Sequence, residues 1–490
     1  MMPPQADTAV LKQVASAGSR QILKSRDDPA PVKLKPKDGA ANGPAFELDD
    51  DAQCSWAKEG ETLTPAKLRS RVEPWLTALC QAEHLSLLAG SGLTLAVTAI
   101  AHGGNKSIMP QSSPMERADF GKFQEMIDLA AACSAKAAGR DEGNVEDQLR
   151  VANELLRGLE IFNDPSLSEG SRRLRICRLR RRIEETVKAL TTSVLDAERA
   201  LASAPARDVA FNYLVSFLMS FAARSGTRDR LHLFTTNYDR VIEAGADSAG
   251  LHLLDRFVGA LSPVFRSSRL ALDLHYNPPG IRGEPRYLEG VARFTKLHGS
   301  LDWFASQGSI RRLAVPFGAR DIKTILNLDP AVDGKASQLL IYPNAAKDRE
   351  TAAHPYVELF RDLAAAICRP NTTLMTYGYS FGDEHINGVI TDMLTIPSTH
   401  LVVISYDDPL GRIISLYEKI GKPAQISLLI GNHLGSLQNL VDHYLPKPAI
   451  DHSTFRMTEL LKARWGVAQA EAGTQSDLNA ASARPEGDGA

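Results

Sequence analysis

The chain has 490 residues, 43% of them hydrophobic and 23% charged, with a formal net charge of −2. That is enough apolar material for a sizeable core, which excludes a mostly disordered chain. The charge is too small for a global field that draws the protein to DNA or to a membrane surface. Five cysteines (Cys54, Cys80, Cys133, Cys177 and Cys368) are odd in number and far apart, with no C-x-x-C pair. This spacing argues against a zinc ribbon or a disulfide framework and for a reducing cytoplasm. The opening MMPPQADTAVLKQ lacks a basic-then-apolar signal pattern, and no apolar run reaches a membrane span, so a cytoplasmic protein is expected.

Residues 1–50 are rich in Pro, Ala, Lys and Asp without sustained periodicity and read as a mobile N-terminal tail. From 51 the chain alternates between short apolar runs and helical patterns. Strands are predicted at 84–89, 231–236, 293–297, 338–342, 372–377, 400–405 and 425–430, each apolar on both faces and bounded by Gly, Pro, Asn or Asp. Two-sided apolarity belongs to parallel strands covered by helices. Helices are predicted at 355–368, 385–394, 410–420 and 435–444. The fold class is α/β, a Rossmann-like parallel sheet with helices on both faces.

Two stretches interrupt this rhythm. Residues 113–225 read as a helical insertion that divides the α/β domain into 51–112 and 226–445. Within it Ile176, Leu179, Ile183, Val187, Leu190 and Val194 form one apolar stripe, and seven arginines crowd 172–182. Those arginines read as a solvated face meeting acidic neighbours, or else as a contact surface for nucleic acid or a partner protein. Residues 246–290 read as a second, irregular insertion that would form a small lobe or lid over a nucleotide cleft. A C-terminal helix over 446–468 and a mobile tail over 469–490 close the chain.

Four polar corners stand at strand ends. In the first, Gly90, Ser91, Gly92 and Thr94 lie between HLSLLA and a helix-prone LAVTAIA. Glycines there allow close approach of a pyrophosphate to a helix N-terminus, or simply a tight turn. In the second, TTNYD, Asn237 can donate to and accept from ribose hydroxyls or water. Asp239 can face the same cleft or cap the next helix. In the third, KLHGS, His298 is a candidate base or a satisfied core histidine. The fourth, GYSFGDEHIN, turns through Gly378, Ser380 and Asp383 into a helix. Four such corners on an open α/β sheet are the pattern of one nucleotide cleft.

The ordered set GSGLT, TTNYD, KLHGS and GYSFGDEHIN, closed by HLVVISYDD, resembles the sirtuin family over roughly 84–431. It is more closely similar to the bacterial sirtuin-like branch of antiphage defence systems. The resemblance implies NAD+ as substrate. It assigns Gly90, Ser91, Gly92 and Thr94 to the pyrophosphate side, with Thr236 at the usual Gln position. Asn237 and Asp239 would contact ribose, nicotinamide or the attacking water, and His298 would be the base at the ribose. Gly378, Ser380 and Asp383 would lie on the adenosine-ribose side. The family's Pro-x-Phe-Arg element after the first motif is replaced by LAVTAIAHGG, and the four zinc cysteines of deacylating sirtuins are absent. No zinc is therefore expected, and the implied activity is NAD+ hydrolysis to nicotinamide and ADP-ribose rather than protein deacylation. Two alternatives stay open, a zinc-free NAD-dependent deacylase and a non-catalytic NAD or ADP-ribose sensing module. The resemblance also implies a homo-oligomer, activated by a HerA-like ATPase or an Argonaute-type partner. It implies no membrane role, and nucleic acid only indirectly.

Overall fold

The computed structural model describes residues 20–37, 44–50, 52–104, 119–137, 143–162, 168–224, 228–268, 272–276, 286–306, 309–320, 339–341 and 355–447. In chain order, β1 (Gln21–Lys24), β2 (Val32–Pro36) and β3 (Phe46–Leu48) precede α1 (Pro65–Cys80), β4 (His84–Ala89) and α2 (Ser91–Ala101). Four helices follow: α3 (Gln124–Ala137), α4 (Val145–Ile161), α5 (Glu169–Ala202) and α6 (Arg207–Ala222). Next come β5 (Leu231–Thr235), α7 (Val241–Ala249), β6 (His252–Leu254), β7 (Phe257–Val258) and β8 (Val264–Phe265). Then follow β9 (His275–Tyr276), β10 (Arg286–Tyr287), β11 (Val291–Lys296), β12 (Gly299–Ser306), β13 (Ser309–Arg312) and β14 (Leu339–Ile341). The described chain closes with α8 (Tyr356–Ile367), β15 (Thr372–Tyr377), α9 (Glu384–Met393), β16 (His400–Ser405), α10 (Arg412–Ile420) and β17 (Ile426–Ile430).

The main sheet has ten strands in the order β3-β2-β1-β17-β16-β15-β4-β5-β11-β6. The seven from β17 to β6 run parallel, and β1, β2 and β3 extend the sheet antiparallel. It is the Rossmann-like α/β architecture. The pleat divides each central strand between two cores. Leu85, Leu87, Met375, Val402 and Leu429 face one core, while Leu88, Leu374, Val403 and Leu428 face the other. Helices α1, α2, α6 and α7 cover the first face, and α8, α9 and α10 cover the second. In α1 the buried Leu68, Val72, Leu76 and Cys80 recur every fourth residue, the spacing that lays one stripe on a sheet. Each buried Leu or Ile contributes about 1.5–3 kcal/mol relative to an exposed one.

Three departures from the sequence expectations follow from short elements. Within the tail read over 1–50, Gln21–Leu48 supplies three strands, with Ile22, Leu23 and Leu34 fully buried. Strands of three to five residues are too brief to show a period, and long-range pairing with β17 fixes them. The run at 338–342 yields β14, which pairs antiparallel with β12 in a second, five-stranded sheet β14-β12-β13-β8-β7. The stretch 246–290 is not one lobe: β6 is an edge strand of the main sheet, β7 and β8 join the second sheet, and β9 pairs with β10. The helix and tail read after 446 fall, from 448 on, outside the described residues.

A third core joins α3, α4 and α5 to the second sheet through residues such as Leu149, Leu179, Val187, Phe304 and Leu313. On α5 the arginines meet acids: Arg173 with Glu169, Arg180 with Glu160, Arg181 with Glu185 and Arg182 with Asp119. That pairing is the solvated-face arrangement.

Candidate functional site

Strands β15, β4, β5 and β11 are consecutive neighbours in the sheet, so the four polar corners leave from adjacent carboxyl ends. An open α/β sheet binds ligands at this edge.

The first and fourth corners interlock through backbone. Gly90 N–H donates to Tyr377 O at 3.0 Å and Gly92 N–H to Gly378 O at 3.0 Å. A Cβ on Gly90 would lie 2.4 Å from Gly378 O, and one on Gly92 would lie 2.6 Å from Gly378 Cα. Gly378 itself has φ +58°, a conformation that favours glycine. The glycines are thus fixed first by each other. Ser91 is exposed at the start of α2, and Ser380 is exposed just beyond Tyr379.

The second corner closes onto the first. Asn237 is 7% exposed, and its Nδ2 donates to Gly90 O and to Thr94 Oγ1, each at 3.1 Å. Both partners accept, so the amide orientation follows from the network. Its Oδ1 has no hydrogen-bond partner among the described residues. Thr94 Oγ1 passes the chain on, donating to Asp239 Oδ2 at 2.8 Å. Asp239 Oδ1 accepts from Val241 N at 3.1 Å. Asp239 thus has one oxygen on the first backbone N–H of α7, whose cap position is Arg240, and the other on Thr94. Thr236 is half-buried beside them.

His298 stands where β11 turns into β12, with Gly299 at φ +82° making the turn. Its Nε2 lies 2.8 Å from Asp383 Oδ2. Strands β15 and β11 are three places apart, about 14 Å at the usual spacing, so this contact brings the outer loops together over the ends of β4 and β5. The ring of Tyr238 lies 6.4 Å from that of His298, centroid to centroid. Asp383, assigned from the sequence to the cofactor, also takes His385 N–H and Ile386 N–H on Oδ1 at 3.0 and 3.3 Å.

Several further residues, in or beside the motifs but not singled out from the sequence, hold the corners. Thr235 Oγ1 donates to Ala89 O at 2.8 Å and accepts from Asn237 N at 3.1 Å. Tyr238 donates to Glu146 of α4 at 3.2 Å, and burial pushes its phenol well above the usual range. Lys296, 2% exposed, donates to the Asp239 carbonyl and to Glu243 Oε1, the latter at 2.9 Å. Burial raises Glu243 to about 7, with Lys296 countering only in part. Arg240 pairs with Glu198 of α5 at 2.5 Å. The roles of Tyr238, Lys296 and Arg240 are not visible in sequence, because their side-chain partners lie 42 to 92 positions away on other elements.

Residues 231–421 match the family model of the SIR2-like domain. The SIR2-like match spans β5 to the end of α10 and so contains Asn237, Asp239, His298, Gly378, Ser380 and Asp383, while the glycine turn at 90–94 precedes it. A SIR2-like domain goes with NAD-related activity, and such domains are typically NAD-dependent enzymes. Comparison with curated proteins finds no match. Among the described residues, no group of three or more His, Cys, Asp and Glu side chains is arranged to hold a metal ion. No helix among them is long and apolar enough to cross a membrane.

Proposed function

We propose that this chain is an NAD+ glycohydrolase that cleaves the nicotinamide–ribose bond with water. The observation that carries the reading is Asn237. It is a buried carboxamide tied by both N–H groups to the glycine turn and to Thr94, with an oxygen that no described residue engages. An open acceptor fixed on a rigid scaffold is what an attacking water or a ribose hydroxyl requires. The groups that fit the dinucleotide are the glycine turn and helix N-terminus on the phosphate side, with Gly378 and Ser380 beside them.

The reaction breaks the bond between the ribose carbon and the nicotinamide nitrogen, and its electron pair leaves with nicotinamide. Positive charge builds on the ribose, and the Asp239 carboxylate stabilises it electrostatically. Asn237 Oδ1 accepts a hydrogen bond from the water, whose oxygen bonds to the ribose carbon. His298 takes the proton of a ribose hydroxyl, the proton lost by the attacking water restores that hydroxyl, and the proton on His298 passes to solvent, one per turnover. In this proposal the activity serves to deplete NAD+ in antiphage defence. The chain acts as a homo-oligomer under control of a HerA-like ATPase or Argonaute-type partner. This setting rests on the family resemblance.

Purified protein is incubated with NAD+, alone and with the product of its neighbouring gene, and nicotinamide and ADP-ribose are followed by chromatography. The expected result is stoichiometric release of both without any acyl-peptide, lost in His298→Ala and Asn237→Ala variants that keep the wild-type circular dichroism. Release that depends on an acyl-lysine peptide would favour a deacylase, and binding without product a sensor. Normal turnover in both variants would sink the assignment of these residues.

A further inference from the structure

Asp383 is 4% exposed and has both carboxylate oxygens engaged, each with a different task. Oδ1 accepts the first free N–H groups of α9, from His385 and Ile386. That is an ordinary helix cap, and one oxygen suffices for it. Oδ2 reaches out of the turn to His298 Nε2 at 2.8 Å. A carboxylate that takes backbone N–H bonds acts as an acceptor, so the hydrogen in the second contact sits on Nε2. The neutral imidazole then carries its lone pair on Nδ1, which has no hydrogen-bond partner among the described residues. The His298 side chain is 22% exposed, open enough to meet a ligand.

We propose that Asp383 is the positioning residue for His298: it holds the Nε2–H tautomer and leaves Nδ1 to take the ribose hydroxyl proton. The step balances simply. The hydroxyl O–H bond breaks, an Nδ1–H bond forms, and the resulting imidazolium faces the Asp383 carboxylate until the proton passes to solvent. The role rests on the NAD+ hydrolase reading above and adds to it the identity of the base nitrogen and of the group that sets it.

Asp383→Asn separates this role from a helix cap. Asparagine keeps a side-chain oxygen for His385 and Ile386, with almost the same volume. Its amide then presents N–H rather than an acceptor to His298 Nε2, which forces the hydrogen onto Nδ1 and removes the base. The expected result is a fall in kcat of about 10²–10⁴, with the Kd for NAD+ within about threefold of wild type and the urea midpoint unchanged within experimental error. Nitrogen-15 shifts of the neutral His298 ring should report Nε2–H in the wild type and Nδ1–H in the variant. Turnover within threefold of wild type, or an unchanged tautomer, would overturn the proposal. Should the asparagine variant lose its fold, Asp383→Ser decides. Serine caps the helix but is too short to reach His298, so wild-type kcat in that variant overturns the proposal and a kcat loss at constant Kd supports it. The wild-type control distinguishes the two readings. A wild type that binds no NAD+ removes the hydrolase reading and this role with it, whereas an active wild type with an active Asp383→Asn variant removes this role alone.

Discussion

Among the described residues, Glu198 and Arg240 form the one buried ion pair that joins helix α5 directly to the TTNYDR corner, with side chains 1% and 7% exposed. Three bonds run between them: Arg240 N–H to Oε1 at 2.8 Å, Nε to Oε1 at 3.2 Å and Nη2 to Oε2 at 2.5 Å. The guanidinium also donates to the carbonyls of Val315 and Pro316. Glu198→Ala removes every charged acceptor and leaves a cation out of water, with two neutral carbonyls to hold it. Breaking such a pair costs about 3–5 kcal/mol, a large share of the roughly 5–15 kcal/mol of a whole domain. Replacing both residues by methionine removes the desolvation cost together with the attraction, and stability should return to within about 1 kcal/mol of wild type. Urea unfolding followed by tryptophan fluorescence reads both numbers. Arg240 is the chain neighbour of Asp239, so NAD+ turnover measured below the unfolding range should fall in Glu198→Ala. A single Glu198→Ala variant as stable as wild type would refute the reasoning, because it would mean that Arg240 reaches water in the native protein.

Gly92→Ala forces a Cβ to within 2.6 Å of Gly378 Cα and 2.9 Å of Gly378 O, both backbone atoms. It should cost about 1–3 kcal/mol in urea unfolding and abolish NAD+ turnover, whereas Gly388→Ala, in α9 with nothing within 4 Å, should stabilise by about 0.5–1 kcal/mol. Burial lowers His400 and His433 to about 4, so the unfolded chain binds more protons than the folded one between pH 4 and 6.5. The His400 contribution should therefore be fully present above pH 6.5 and decline as pH falls toward 4, by on the order of 3 kcal/mol, against the opposite contribution of Glu243, whose raised pKa favours the fold below about 7. A pH dependence of the urea midpoint between 7 and 4.5 that is the same in His400→Gln as in the wild type would contradict that origin.

Much of the scaffold is legible in the chain itself. The runs HLSLLA, TTLMTY and HLVVIS form β4, β15 and β16 over the expected residues, because a parallel strand buried on both faces must be apolar throughout. The polar corners lie at strand ends for the same reason, since buried strand interiors exclude them. The N-terminal strands and the second sheet are not legible. Val32–Pro36 is too short to carry a period, and Leu339–Ile341, expected as a strand, joins β12 rather than the parallel sheet; pairing with distant segments decides both.

The amino-acid order by itself determined the parallel sheet, the strand ends at which chemistry-bearing residues collect, and their types. It left open which of those residues touch. Gly92 reads as space for a ligand or as a tight turn; in the fold it is also the seat of Gly378. Asp383 reads as a cofactor contact; the fold also gives it His298 as a partner. Contacts between residues 85 and 286 positions apart depend on the order of strands in the sheet, which no local pattern encodes. Only when β15, β4, β5 and β11 lie side by side do their loops come within hydrogen-bond range.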